Sequence, residues 1–193
     1  MKSLSIIIIN RNDSYNLNKC LRYLEEQNFP KNKLEILVID GNSSDQSEEV
    51  SNLFDNVKFY NMGYESEMEA RRYLGILKCK NEIISFIDTD NFVEDKDYLL
   101  HSIAPFYNEK YLLGAFSKWY FPSNQISLLD KYYALIGGND PIAYYLCRND
   151  RVEFQFDKYP NVNTNVIKKT IDYDLVSFDK NDYPVIGCNG FFF

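Results

Sequence analysis

No stretch of this 193-residue chain approaches the ~20 consecutive apolar residues of a membrane-spanning helix. Nor does a secretory leader open it, because Met1 to Ser5 lead straight into Ile6-Ile7-Ile8-Ile9, far too short for a signal core. Basic charge is in deficit: 21 Lys and Arg against 28 Asp and Glu leave a formal net charge of -7. That balance argues against broad contact with a nucleic-acid backbone, which needs a clustered basic surface. A nucleotide ligand stays open, since a divalent cation can supply the missing positive charge. No CxxC pair joins the four scattered cysteines, which argues against a zinc knuckle or a thioredoxin-like motif. Cys20 and Cys79 sit among apolar residues and read as buried free thiols in a reducing compartment. Neither a P-loop nor GxGxxG occurs, so triphosphate hydrolysis and a dinucleotide-binding turn are disfavoured. The single histidine, His101, lies on a helical stretch and reads as an ordinary residue.

What is present is an ordinary globular composition, 45% hydrophobic and 25% charged, enough for one compact domain. Up to about residue 90, strand and helix signals alternate, the pattern of a parallel sheet covered by helices. Leu4 to Ile9 and Leu34 to Ile39 are continuous apolar runs, as expected of strands buried on both faces. Between them, Leu17, Cys20, Leu21 and Leu24 keep helical spacing behind a cap at Asp13 or Ser14. Ser43 with Gln46 offers a capping box for a helix through Val50 and Phe54. Val57 to Tyr60 predicts a third strand, and Glu82 to Ile87 a fourth. Glu65 to Cys79 predicts a helix with Met68, Arg72, Ile76 and Cys79 on one stripe.

Beyond residue 95 the regularity loosens. Helices are expected over Asp97 to Tyr107 and over Ser123 to Ile136, the latter capped by Ser123 and stopped by Gly137-Gly138, with a strand over Leu112 to Phe121. The chain reads as one domain, with a subdomain of residues 1–93 and a partial second subdomain of 94–193. Tyrosine (16) and phenylalanine (14) concentrate in the second half, which points to stacking surfaces or an amphipathic acceptor unless it is compositional bias. Phe191-Phe192-Phe193 after the Gly187-Cys188-Asn189-Gly190 turn looks like the start of a further element, so the expectation is a chain cut short at its C-terminus.

Open parallel sheets bind ligands at the carboxyl ends of their strands. Three such ends carry an acid: Asp13 follows Asn10-Arg11-Asn12, Asp40 ends the second strand, and Asp88-Thr89-Asp90 follows the fourth. Carboxylates at i and i+2 in a bend repel unless a cation lies between them, and a hard divalent ion is the natural partner. The alternative is a solvated acidic turn that caps the next helix. An EF-hand loop fails, since Val93 and Leu99 occupy the positions that need Gly and an acid. A phosphatase with Asp88 as nucleophile would usually carry this motif on its first strand, not its fourth.

Five stretches then stand in a recognisable order: Ser5 to Asn12, Cys20 to Gln27, Glu35 to Asp45, Glu69 to Gly75 and Phe86 to Asn91. Together they resemble the amino-terminal half of a family 2 glycosyltransferase of the GT-A fold. That resemblance implies an α/β, Rossmann-like, mostly parallel sheet flanked by helices. It implies a nucleotide-diphosphate sugar donor, UDP- or GDP-linked, and inverting transfer to a saccharide, a lipid-linked or another hydroxyl acceptor. Carried over by position, Asn10, Arg11, Asn12 and Asp40 contact the nucleoside, and Arg72, with Arg71 as the competing choice, faces the diphosphate. Asp88, with Thr89, lies near the ribose or a metal-bound water, and Asp90 coordinates Mn²⁺ or Mg²⁺. Gly187, Asn189 and Gly190 match an acceptor-side loop. The catalytic base of the family lies some tens of residues beyond such a loop, so this chain is expected to lack it, with Asp140 a weak substitute. A cytoplasmic location follows, any membrane association being supplied by sequence absent from the chain. A non-catalytic nucleotide-sugar-binding module would share every donor-side residue.

Overall fold

The computed structural model describes residues 2–63, 67–120, 126–138, 140–149, 151–159, 164–179 and 190–192. In chain order the first elements are β1 (Leu4–Asn10), α1 (Ser14–Glu25), β2 (Leu34–Asp40), α2 (Ser47–Ser51), β3 (Val57–Asn61), α3 (Met68–Lys78) and β4 (Ile83–Phe86). They are followed by α4 (Tyr98–Ile103), α5 (Pro105–Asn108), β5 (Gly114–Ala115), α6 (Leu128–Ile136) and α7 (Pro141–Tyr145). The last are β6 (Asn165–Lys169), β7 (Asp174–Ser177) and β8 (Phe191–Phe192). Two compact units result, residues 1–116 with 189–193, and residues 117–188. No helix among the described residues is long and apolar enough to cross a membrane.

The first unit is a six-stranded sheet in the order β3-β2-β1-β4-β8-β5, with β1 to β4 mutually parallel. Two-residue β8 runs antiparallel between β4 and β5. β1 and β2 are buried on both faces because helices cover both. Alternation along β1 divides the core: Leu4, Ile6 and Ile8 pack with Leu17, Leu21 and Leu24 of α1, while Ile7 packs with Leu37 and Ile39 on the opposite face. At the far end of the sheet from the acidic turns, Glu35 accepts from the Ser5 hydroxyl at 2.9 Å and the Lys58 ammonium at 2.6 Å. Burial works to raise the Glu35 pKa, but these bonds and one from the Lys80 amide outweigh it and hold it below the usual range.

Helix α3 departs from its expected stripe. Its buried residues are Arg71 and Gly75, whereas Met68 and Ile76 are substantially exposed. Gly75 explains the rotation, since a Cβ there would lie 2.5 Å from Ile7 Cγ2. The missing side chain lets the helix backbone settle on β1, and Leu74 packs beside it. Gly75→Ala should therefore destabilise the protein. The ~1 kcal/mol gain in helix propensity is outweighed by an overpacking cost of about 1–3 kcal/mol. In an Ile7→Ala background the same change should be neutral or favourable, because the obstructing atoms are gone. Denaturant melts of the four proteins decide it, and equal costs in both backgrounds would refute the close-packing account.

Other differences have local causes. Ser43 does not cap α2; the helix starts after Gln46, which makes no side-chain cap bond. Pro105 divides the single helix expected over Asp97 to Tyr107 into α4 and α5. The strand expected over Leu112 to Phe121 reduces to β5, two residues long. In the second unit, α6 begins after Ser127, whose hydroxyl accepts from the Asp130 amide at 3.1 Å; Ser123 lies outside the described residues. Gly137, with φ +76°, stops α6 as expected.

Candidate functional site

The carboxyl ends of β2, β1 and β4 carry the polar residues singled out above, and register aligns them. Asn10 lies opposite Asp40, and Asp40 opposite Asn61. Asp40 is fully buried and Asn10 nearly so. The Asn10 Nδ2 donates to Asp40 Oδ1 at 2.7 Å and to Ser47 Oγ at 2.9 Å. Asp40 also accepts from the Ser43 amide at 2.7 Å and the Ser43 hydroxyl at 2.6 Å. Ser43 is therefore turned back onto the strand end.

Two asparagines shape the loops. Asn12 (φ 50°) and Asn42 (φ 62°) adopt the left-handed backbone that asparagine tolerates better than most residues. The Asn12 amide donates to Ser43 Oγ at 2.7 Å, and the Ser44 amide donates back to Asn12 Oδ1 at 2.8 Å. Asp45 accepts from the Ser14 amide at 2.8 Å and the Ser47 amide at 3.1 Å. Burial opposes ionisation there, yet the bonds from Ser47 and Ser14 hold Asp45 below the ordinary carboxylate range. The loops after β1 and β2 are thus one hydrogen-bonded unit.

Asp13 occupies the N-cap position of α1, its carbonyl accepting from the Leu17 amide at 3.0 Å, but its side chain makes no cap bond. Its carboxylate instead accepts from the Thr89 hydroxyl at 2.7 Å and the Asn16 amide group at 3.0 Å. This bond ties the first loop to the Asp88-Thr89-Asp90 turn. Asp13 reads from the sequence as a helix cap or a strand-end acid; its spacing from Thr89 offers no signal.

The turn itself is tight, with the Asn91 amide donating to the Asp88 carbonyl at 3.0 Å. Asp88 is partly exposed and Asp90 exposed. Beneath them the buried Cys20 thiol lies 4.0 Å from the Asp88 carbonyl oxygen. Burial, then the Asp90 and Asp88 charges, push that thiol up to about 12, so it stays protonated.

Both arginines of α3 lie beside these strand-end loops, by different routes. Arg72 Nη2 lies 3.7 Å from Asp88 Oδ1, and its Nη1 donates to Glu69 at 2.6 Å. Arg72 Nε is buried with no hydrogen-bond partner among the described residues. Arg71 is buried against Gly41: a Cβ at Gly41 would lie 2.4 Å from Arg71 Nη1 and 3.4 Å from Arg11 Cδ. Burial and the Arg11 charge lower the Arg71 pKa, against the pull of Asp40. Gly41, directly after Asp40, is the position in the sequence that makes room for this placement, which the pattern of α3 alone obscures.

Elsewhere, Asp140 caps α7, accepting from the Ile142 amide at 2.8 Å and the Ala143 amide at 3.3 Å. That accounts for its carboxylate structurally. Gly187 and Asn189 lie outside the described residues. Gly190 is buried, with its carbonyl accepting from the Phe86 amide at 3.3 Å, and a Cβ there would meet the Phe116 ring at 2.5 Å.

Among the described residues, no three His, Cys, Asp or Glu side chains cluster as a self-sufficient metal cage. Asp88 and Asp90 fit a different arrangement. A hard ion held partly by a diphosphate keeps several waters and needs only one or two protein carboxylates.

Comparison with known proteins now bears on this geometry. The model of the family described as glycosyl transferase family 2 matches residues 5–165. Glycosyltransferase AglE of Haloferax volcanii is 33% identical over 91 residues, covering 45% of this chain and 30% of that protein. The S. aureus TarS fragment 1–349 superposes with a TM-score of 0.52 at 23% identity, over 55% of this chain and 32% of the other. The mannosyltransferase PcManGT from Pyrobaculum calidifontis, solved with GDP-Man and Mn²⁺, gives 0.55 at 18% identity, over 64% and 37%. This chain spans about a third of the length of each. At those identities the structural likeness is one of fold.

Proposed function

Because the chain belongs to glycosyl transferase family 2, we propose that its strand-end cleft holds a UDP- or GDP-linked sugar for inverting transfer to an acceptor hydroxyl. Residues 1–93 then form the nucleotide-sugar-binding part and 94–193 the acceptor side, in a protein acting in the cytoplasm. The observation that carries the assignment is the meeting of Arg72 and Asp88 at 3.7 Å beside exposed Asp90. A cation-bearing side chain and two carboxylates there suit a diphosphate and a divalent ion together.

In this mechanism the interlocked loops of Asn10, Arg11, Asn12 and Asp40 orient the nucleoside, and Arg72 balances diphosphate charge. Thr89, held by Asp13, fixes the turn that presents Asp88 and Asp90. These two carboxylates would hold Mn²⁺ or Mg²⁺, which supplies Lewis-acid stabilisation of the leaving diphosphate when bound. Gly187, Asn189 and Gly190 would border the acceptor, whether saccharide, lipid-linked or another hydroxyl compound.

Calorimetric titration of UDP, then GDP, with and without Mn²⁺ tests the assignment. One nucleotide should bind at least tenfold more tightly with Mn²⁺, roughly 1.4 kcal/mol. No binding of either by folded protein would sink it.

A further inference from the structure

Within the unit of residues 117–188, Tyr144, Tyr145 and Tyr159 line a cavity of about 630 Å³. That lies within the range of roughly 300–1,000 Å³ usual for small-ligand sites. Tyr144 and Tyr145, at the end of α7, set their rings at 75° with centroids 5.8 Å apart. Tyr159 contributes a third phenol to the lining.

The charged groups around these rings balance. Glu153 and Asp157 stand against Lys158 and Lys169, two of each sign. Asp157 lies 2.7 Å from the Lys118 ammonium, and burial followed by the nearby Glu153 charge raises the Tyr144 phenol pKa. Lys118 also lies 3.3 Å from Asp174, whose side chain is nearly buried. A phosphate entering here would meet two carboxylates, and a cation would meet two ammonium groups. Neither charge is favoured, so the lining selects a neutral ligand. Thr164 adds a buried hydroxyl, at the cavity lining, that has no hydrogen-bond partner among the described residues.

Flat aromatic faces with donors and acceptors of both kinds at their edges suit a ring that is apolar on its C–H faces and hydroxylated around its rim. We propose that this cavity is a saccharide-binding site, with Tyr145 providing a stacking face and Glu153, Lys158, Lys169 and Thr164 the hydrogen-bonding rim. Binding there does not depend on the donor assignment; only the further step of treating the saccharide as the acceptor rests on it.

The test is saturation-transfer NMR followed by calorimetry on the whole chain without nucleotide or metal. The probes are glucose, galactose, mannose and N-acetylglucosamine, with maltose, cellobiose, lactose and chitobiose. At least one should bind saturably. Tyr145→Ala should weaken it on the order of tenfold, while Tyr145→Phe, which keeps the ring, stays within about twofold. Tyr145 is 78% exposed, so these variants should remain folded. The proposal is overturned if no probe binds the folded chain, if Tyr145→Ala binds as wild type does, or if inorganic phosphate competes for the site.

Discussion

Asp90→Ala should abolish metal-dependent nucleotide binding while leaving the melting temperature unchanged. Asp90 is exposed, and its carboxylate accepts from the Asn91 side chain at 3.0 Å. Exposed substitutions away from special structural features usually change stability by no more than about 0.5 kcal/mol. On the metal-holding role proposed for Asp90, its loss is different in kind. Partners that merely orient metal ligands are worth about 10–100-fold in affinity, so removing a ligand should cost on the order of 100-fold or more. Titration of nucleotide with Mn²⁺, beside a thermal melt of the same sample, separates the two effects. Asp90→Ala protein that binds nucleotide with wild-type manganese dependence would return the turn to a solvated acidic cap.

Asp40→Ala should do the reverse, damaging the fold first and binding in consequence. The carboxylate is fully buried and accepts from Asn10 Nδ2, the Ser43 amide and the Ser43 hydroxyl. Asn10 keeps Ser47 as a second acceptor, so the Ser43 amide is the donor most exposed to the loss. With about 1–3 kcal/mol for each buried polar group left unsatisfied, the expected cost is about 2–4 kcal/mol. For a chain of this size that lowers the melting temperature by roughly 5–15 °C. Nucleotide affinity should fall on the order of tenfold even below the transition, because both loops lose their common anchor. Calorimetric melts and titrations at low temperature measure these separately. A melting shift under about 2 °C would mean that Asp40 does not hold the loops together.

The contrast shows which parts of the site were legible beforehand. β1 and β2 announce themselves as unbroken apolar runs, because a strand covered on both faces needs no alternation. The acids at strand ends are visible for the same reason, since a carboxylate closing such a run stands out. Arg71 and Asp13 were harder. Arg71 uses the room left by the missing side chain of Gly41, and the partner of Asp13 is Thr89, 76 positions away. Ser43 misled because a serine three before a glutamine suits both a helix cap and a return to Asp40. The buried carboxylate offers the stronger bond. In the second half, short strands and brief helices carry too few residues for a period to emerge, and tyrosine content signalled only that flat surfaces would exist.

Strands β5 and β8 have a consequence for how this protein can change over evolutionary time. They are hydrogen-bonded neighbours, Gly114 opposite Phe192 and Ala115 opposite Phe191, yet the whole unit of residues 117–188 lies between them in the chain. The unit is therefore attached to the sheet at two points that a ladder already pairs. Segments hung on such a closed seam can lengthen, shrink or be exchanged by recombination at little cost, because the ends they must reach stay together. Asp40, Arg72, Asp88 and Asp90 all belong to segments that precede this seam in the chain. Residues 117–188 can thus vary in length while the ends they join stay paired.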